Sequence, residues 1–171
     1  NTGVAAYGVV ANISLVIVAV FTGIAQGVQP LISTFYGGGN DKQARTVLRY
    51  AMTTMLTISC AVYLLIFVFA QPITAVFNSE NNTELQRIAV QGLKLYFLSV
   101  VFVGYNSILA TFFTSIEKAL PAHILSVLRG LILIIPIAFF LSALWEMTGV
   151  WLTYPITEFL VALLGFIMYQ H

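Results

Sequence analysis

Two ionisable residues, Arg129 and Glu158, stand deep inside otherwise uncharged apolar runs. Such groups are expensive in hydrocarbon and persist where they pair or move charge. Arg129 lies ten residues into the run 119–145, and Glu158 ten residues into the run 148–170. At about 1.5 Å per helical residue, each sits roughly 15 Å from the start of its run. The two runs are read in opposite directions, so both groups reach the middle of a core about 30 Å thick. The spacing therefore predicts that Arg129 and Glu158 pair, directly or through water. Two roles stay open: a structural link between neighbouring helices, or proton carriage by Glu158.

A second group is polar but uncharged. Thr22, Gln26, Gln29 and Ser33 are spaced by four, three and four residues, which places them on one helical face. Pro30 has no N–H to donate, so the Gln26 carbonyl loses its usual partner. A polar stripe beside freed backbone suits a water-lined cavity or cation site. It equally suits interhelical hydrogen bonding, with Gly23 and Gly27 allowing close helix approach. Asn106 sits mid-run and must bond a neighbouring helix or line a cavity, so the candidate cavity set is Thr22, Gln26, Gln29 and Asn106. Tyr96 and Tyr105 read as interfacial anchors, His123 as an interfacial residue, and Cys60 as a small packing hydrophobe. No HExxH, GxSxG or GxxxxGK[ST] pattern occurs, and His and Cys are too few for a metal site. An enzyme is not expected, nor is a cofactor.

The elements that must hold these residues follow from composition. Hydrophobic residues make up 60% of the chain and charged residues 8%, with mean hydropathy +0.96. A soluble domain carries about a quarter charged residues, so lipid is the solvent for this exterior. Nothing basic or acidic enough to meet nucleic acid appears. Five runs reach the roughly 20 apolar residues a helix needs to cross: one within 1–40 with its apolar heart at 5–33, then 51–77, 95–116, 119–145 and 148–170. The runs do not alternate, which excludes barrel strands, and the fold class is an all-α bundle of five transmembrane helices in one domain, 1–171. The segment with Arg87 and Lys94 reads as an amphipathic interfacial helix leading into the third run. Lys42, Arg45, Arg49 and Lys118 flank one side and Arg87 and Lys94 the other, so the loop 37–49 is expected to face the cytoplasm. The chain starts at Asn1 without a charged leader and stops just after an apolar run, as a piece of a longer protein would.

Several stretches also carry a family resemblance. Ala5-Ala6-Tyr7-Gly8-Val9-Val10-Ala11-Asn12-Ile13, then Gly23-Ile24-Ala25-Gln26-Gly27-Val28-Gln29-Pro30-Leu31-Ile32-Ser33, resembles the eighth span of the multidrug and toxic compound extrusion (MATE) family. Tyr36-Gly37-Gly38-Gly39-Asn40 is similar to the cytoplasmic loop that follows it there. Leu125-Ser126-Val127-Leu128-Arg129 with Ile134-Ile135-Pro136 resembles the eleventh span, and Gly149-Val150-Trp151-Leu152 with Pro155 and Glu158 the twelfth. The resemblance, nearest to the bacterial MepA-like branch, implies a twelve-span fold of two six-helix lobes in the bacterial cytoplasmic membrane. It implies export of lipophilic, cationic small-molecule drugs in exchange for Na⁺ or H⁺. This chain then corresponds to spans eight to twelve, with the amino-terminal lobe as the missing partner. Some branches bind the coupling cation through carboxylates in the seventh and tenth spans. The run 95–116 has no interior carboxylate, so the resemblance implies that the coupling ion is bound mainly outside this chain. Two other readings stay open: a lipid-linked oligosaccharide flippase of the same superfamily, and a non-transporting membrane scaffold.

Overall fold

Three residues, Gly38-Gly39-Asn40, separate the first two helices. The first, α1 (Thr2–Gly37), ends where the Asn40 N–H reaches back to the Phe35 carbonyl at 2.9 Å, with Gly39 at φ +76°. That left-handed position costs glycine nothing, which is why the helix stops there. Asn40 then caps the next helix, its side-chain oxygen accepting from the Gln43 N–H at 3.2 Å. Helix α2 (Asp41–Val68) therefore begins at Asp41. The expected loop 37–49 shrinks accordingly, and Lys42, Arg45 and Arg49 ride on the first turns of a helix. The computed structural model describes residues 2–171.

The second run breaks before its expected end. Pro72 has no N–H for the Val68 carbonyl and its ring crowds that oxygen, so α2 stops at Val68 and a short helix, α3 (Ala70–Phe77), follows. Asn78 and Asn82 build the polar turn beyond it. Asn78 donates to the Asn82 carbonyl at 2.9 Å, and Asn82 caps α4 (Thr83–Tyr96) by accepting from the Glu84 and Leu85 N–H groups. Helix α4 does not stand apart as an interfacial helix. It buries Ala89, Gly92, Leu93 and Tyr96 and runs through a 3₁₀ turn, Phe97–Ser99, into α5 (Val100–Ser115). The third crossing thus begins before the run 95–116, as one continuous rod packed along α1, α2 and the chain's last helix.

Helix α6 (Ala119–Val127) follows a turn in which Glu117 takes φ 62°. It passes through a wide π turn, Leu128–Ile132, closed by the Leu133 N–H on the Leu128 carbonyl at 2.9 Å. Pro136 lies just beyond and cannot satisfy the Ile132 carbonyl, which accounts for the wide turn at this place. The last helix, α7 (Ile134–Gln170), contains a reversal at Trp145 and Glu146, where Glu146 has φ 49° and ψ −124°. Gly149 then lies against the Leu141 backbone so closely that a Cβ has no room. Among the described residues four helical stretches are long and apolar enough to cross a membrane, the last of them Ala119–Gln170. Because that stretch doubles back at Glu146, the chain makes five crossings in an all-helical bundle. The core between them holds Phe21, Met55, Phe97, Ile108, Leu125 and Trp151, while Val16, Leu64, Phe139 and Phe166 stay exposed on the outside. An exterior as apolar as the core suits a lipid surround.

Candidate functional site

The reversal at Glu146 brings the two halves of the last stretch side by side, and with them Arg129 and Glu158. A continuous helix would hold them about 43 Å apart, at about 1.5 Å per residue. Instead Arg129 Nε and Nη2 both donate to Glu158 Oε1 at 2.9 Å. The other carboxylate oxygen, Oε2, accepts from Asn106 Nδ2 at 2.8 Å, and the same amide group reaches the Glu158 carbonyl at 3.0 Å. Glu158 is fully buried and Asn106 nearly so, while the Arg129 side chain keeps 25% of its surface exposed. Three elements meet here: α5 supplies Asn106, the π turn supplies Arg129, and the second half of α7 supplies Glu158. Asn106 therefore takes the first of its two expected roles, bonding a neighbouring helix. Among the described residues its Oδ1 finds no partner.

Around this cluster the aromatic residues stack. Tyr96 lies on Tyr154 with ring centroids 5.0 Å apart, its hydroxyl 3.3 Å from Ser14 Oγ, and Tyr7 lies on Trp151 at 5.7 Å. Tyr96 is buried. It is a core residue rather than an interfacial anchor, because its position faces α1 and α7 and its hydroxyl has a partner there. A groove of about 420 Å³ runs past Tyr7, Tyr96, Phe139 and Tyr154. The Ser14–Tyr96–Tyr154 arrangement joins three separate helices, and no sequence spacing links them.

The polar stripe of α1 is placed differently. Thr22 and Gln26 are exposed, and Gln29 and Ser33 half-buried. Among the described residues the Thr22 and Gln26 side chains form no hydrogen bond, and nothing packs close to Gly23 or Gly27. The close-approach role for those glycines is therefore not exercised within this chain. Gln29 lines a cavity of about 370 Å³ together with Thr111, Thr114, His123 and Ser126 from α5 and α6. His123 Nδ1–H donates to the Ala119 carbonyl at 2.6 Å. Cys60 is exposed on α2 and does not fill the core. So the structure unites Arg129, Glu158 and Asn106, and leaves Thr22 and Gln26 on a separate open face.

Residues 1–140 match the family model MatE. The chain belongs to the MatE family. Its two halves relate to that match unequally: the α1 stripe, Asn106 and Arg129 lie within the matched segment, and Glu158 lies beyond it. Among curated relatives, a FAD transporter from Shewanella oneidensis is 22% identical over 99% of this chain and 37% of its own length. The multidrug export protein MepA from Staphylococcus saprophyticus is 23% identical over 95% of this chain and 35% of its own length. A solved structure, an outward-facing multidrug resistance MATE family transporter of the MOP superfamily, superposes with TM-score 0.91 at 20% identity. It is covered over 38% of its chain and covers 99% of this one. This MatE chain thus spans a little over a third of the length of the proteins it matches, and it has their transporter fold in that part. The family is one of multi-pass membrane transporters.

Proposed function

We propose that this MatE chain forms most of the carboxy-terminal lobe of a secondary transporter that exports lipophilic, cationic drugs in exchange for Na⁺ or H⁺. The observation that carries the reading is the uncovered polar face of α1. Thr22 and Gln26, exposed at the middle of a membrane helix, are poorly served by lipid, which offers them no hydrogen-bond partner, and Gln29 is half-buried one turn further on. Thr22, Gln26 and Gln29 are better served by a water-filled cavity shared with an amino-terminal lobe. The uncharged amide and hydroxyl character of this face suits ligands that are weakly hydrated.

The coupling ion belongs mainly to the other lobe on this reading. Glu158, the intramembrane acid of this chain, is already engaged by Arg129 and Asn106. The membrane is taken as the bacterial cytoplasmic one. A flavin dinucleotide, the cargo named for one relative, carries two phosphates and calls for cationic side chains in the cavity. The exposed α1 stripe offers only amides and hydroxyls, so the drug reading stands first. The test uses the full-length parent in whole cells. Gln26→Leu and Gln29→Leu should each slow efflux of a fluorescent lipophilic cation several-fold while protein abundance stays near normal. Full efflux by both variants would favour a packing role for the stripe.

A further inference from the structure

At the end of the bundle where α1 meets α2, two arginines stand above an apolar track. Arg45 is braced from the far helix: its Nη1 donates to the Tyr169 hydroxyl at 3.2 Å, and its guanidinium lies 5.7 Å from the Tyr169 ring centroid. Arg49, one turn further along α2, lines a cavity of about 290 Å³ with Met52, Tyr105 and Phe166. Among the described residues neither arginine joins an ion pair, since the two such pairs are Arg87 with Glu84 and Arg129 with Glu158. Tyr105 and Phe166 also line a second cavity of about 270 Å³, which continues past Leu56, Phe159 and Leu163. The two cavities form one groove, with α5 as its floor and α2 and α7 as its walls.

We propose that this groove binds an anionic glycerophospholipid, with the phosphate at Arg45 and Arg49 and one acyl chain along the track. Three observations favour that occupant over a helix or a peptide. The charge is complementary and confined to one end. Below Tyr105 the lining residues are hydrocarbon, so an occupant there must bring no polar group. The track from Tyr169 to Phe159 is ten residues long, about 15 Å, which is the depth of one leaflet of a core about 30 Å thick. Lys42, Arg45, Arg49 and Lys118 gather at this end, which the positive-inside tendency assigns to the cytoplasmic leaflet. Basic pockets between membrane helices on that side hold anionic headgroups by the same physics. The proposal rests only on the chain spanning a membrane and stands apart from the transport reading.

The test takes the full-length protein in detergent and measures retained lipid by native mass spectrometry during titration with phosphatidylglycerol or phosphatidylcholine. A basic residue near the surface contributes about five-fold in affinity, so with two arginines phosphatidylglycerol should be preferred by about 25-fold. The double variant R45Q/R49Q should bring the two lipids to near parity, and R87Q, at the opposite end, should leave the preference unchanged. Inorganic phosphate should not displace the bound lipid. Equal binding of the two lipids by the unmodified protein, or an unchanged preference in R45Q/R49Q, would overturn the proposal. A second measurement keeps both arginines. A benzophenone attached at Leu163→Cys, in a Cys60→Ser background, should capture phosphatidylglycerol over phosphatidylcholine from vesicles of the two in equal amounts. Equal capture, or cross-linking to another segment of the protein, would sink the idea.

Discussion

Glu158 is the residue on which the bundle's last three crossings converge. Its carboxylate accepts two N–H groups from Arg129 and one from Asn106, and its side chain is sealed from the outside. Removing one partner from such a pair leaves a buried charge without compensation and costs about 3–5 kcal/mol. Replacing both with apolar residues of similar volume removes that penalty. We therefore expect Arg129→Met and Glu158→Leu each to lower the melting temperature of the full-length protein in detergent sharply. The double variant should recover much of the loss. Additive losses would mean that each side chain packs independently and that the pair contributes little. Asn106→Leu should cost about 1–3 kcal/mol, because it strips a donor from a buried oxygen. It also removes the orphaned Oδ1, which tempers the loss.

Helix boundaries position these groups, and two of them do so under local constraint. Glu146 takes φ 49° and ψ −124° at the reversal of α7, a region where a side chain is crowded and glycine is not. Glu146→Gly should stabilise the protein by about 1 kcal/mol, read as a rise in melting temperature; a fall would show that the glutamate makes a compensating contact. Gly149, three residues on, has no space for a Cβ against the Leu141 backbone. Gly149→Ala must push the two halves of α7 apart, and we expect a loss of at least 1–3 kcal/mol together with a weakened Arg129–Glu158 pair. The π turn at Leu128–Ile132 acts on the same pair from the other side. It adds a residue to one turn of helix beside Pro136 and so sets the direction from which Arg129 approaches Glu158.

The bundle as a whole has basic residues gathered at one end and the asparagine-rich turn at the other. Lys42 lies at the start of α2, and Asn81 in the turn before α4, with the length of the bundle between them. With Cys60→Ser removing the exposed native thiol, single cysteines at Lys42 and Asn81 in the full-length parent should react with an impermeant maleimide from opposite sides of sealed vesicles. Labelling of both from one side would reject the five-crossing arrangement. The exposed hydrophobic surface of Val16, Leu64, Phe139 and Phe166 makes any orientation outside a bilayer costly, at roughly 25 cal/mol per Å² of apolar area.

Composition and the lengths of five apolar runs were enough to determine an all-α membrane bundle, because hydrocarbon accepts only segments whose backbone is satisfied internally. The placement of Arg129 and Glu158 at equal depth was also legible, since helical rise converts residue counts into distance. Local chemistry was legible where the signal is short in range: the glycines before Asn40 end α1 and Pro136 lies beside the π turn, whereas Pro155 stands inside α7 without a break. The sequence misjudged features that depend on which face meets which neighbour. Tyr96 looked like an interfacial anchor but stacks on Tyr154 in the core, and Cys60 looked like packing but points outward. A membrane helix is apolar on every side, so its hydrophobic pattern does not distinguish lipid from protein contact. That choice belongs to the tertiary structure. So does the union of Asn106 with Glu158, 52 residues apart in the chain, which exists only because α5 and the second half of α7 pack together and because the buried carboxylate must find every donor within reach.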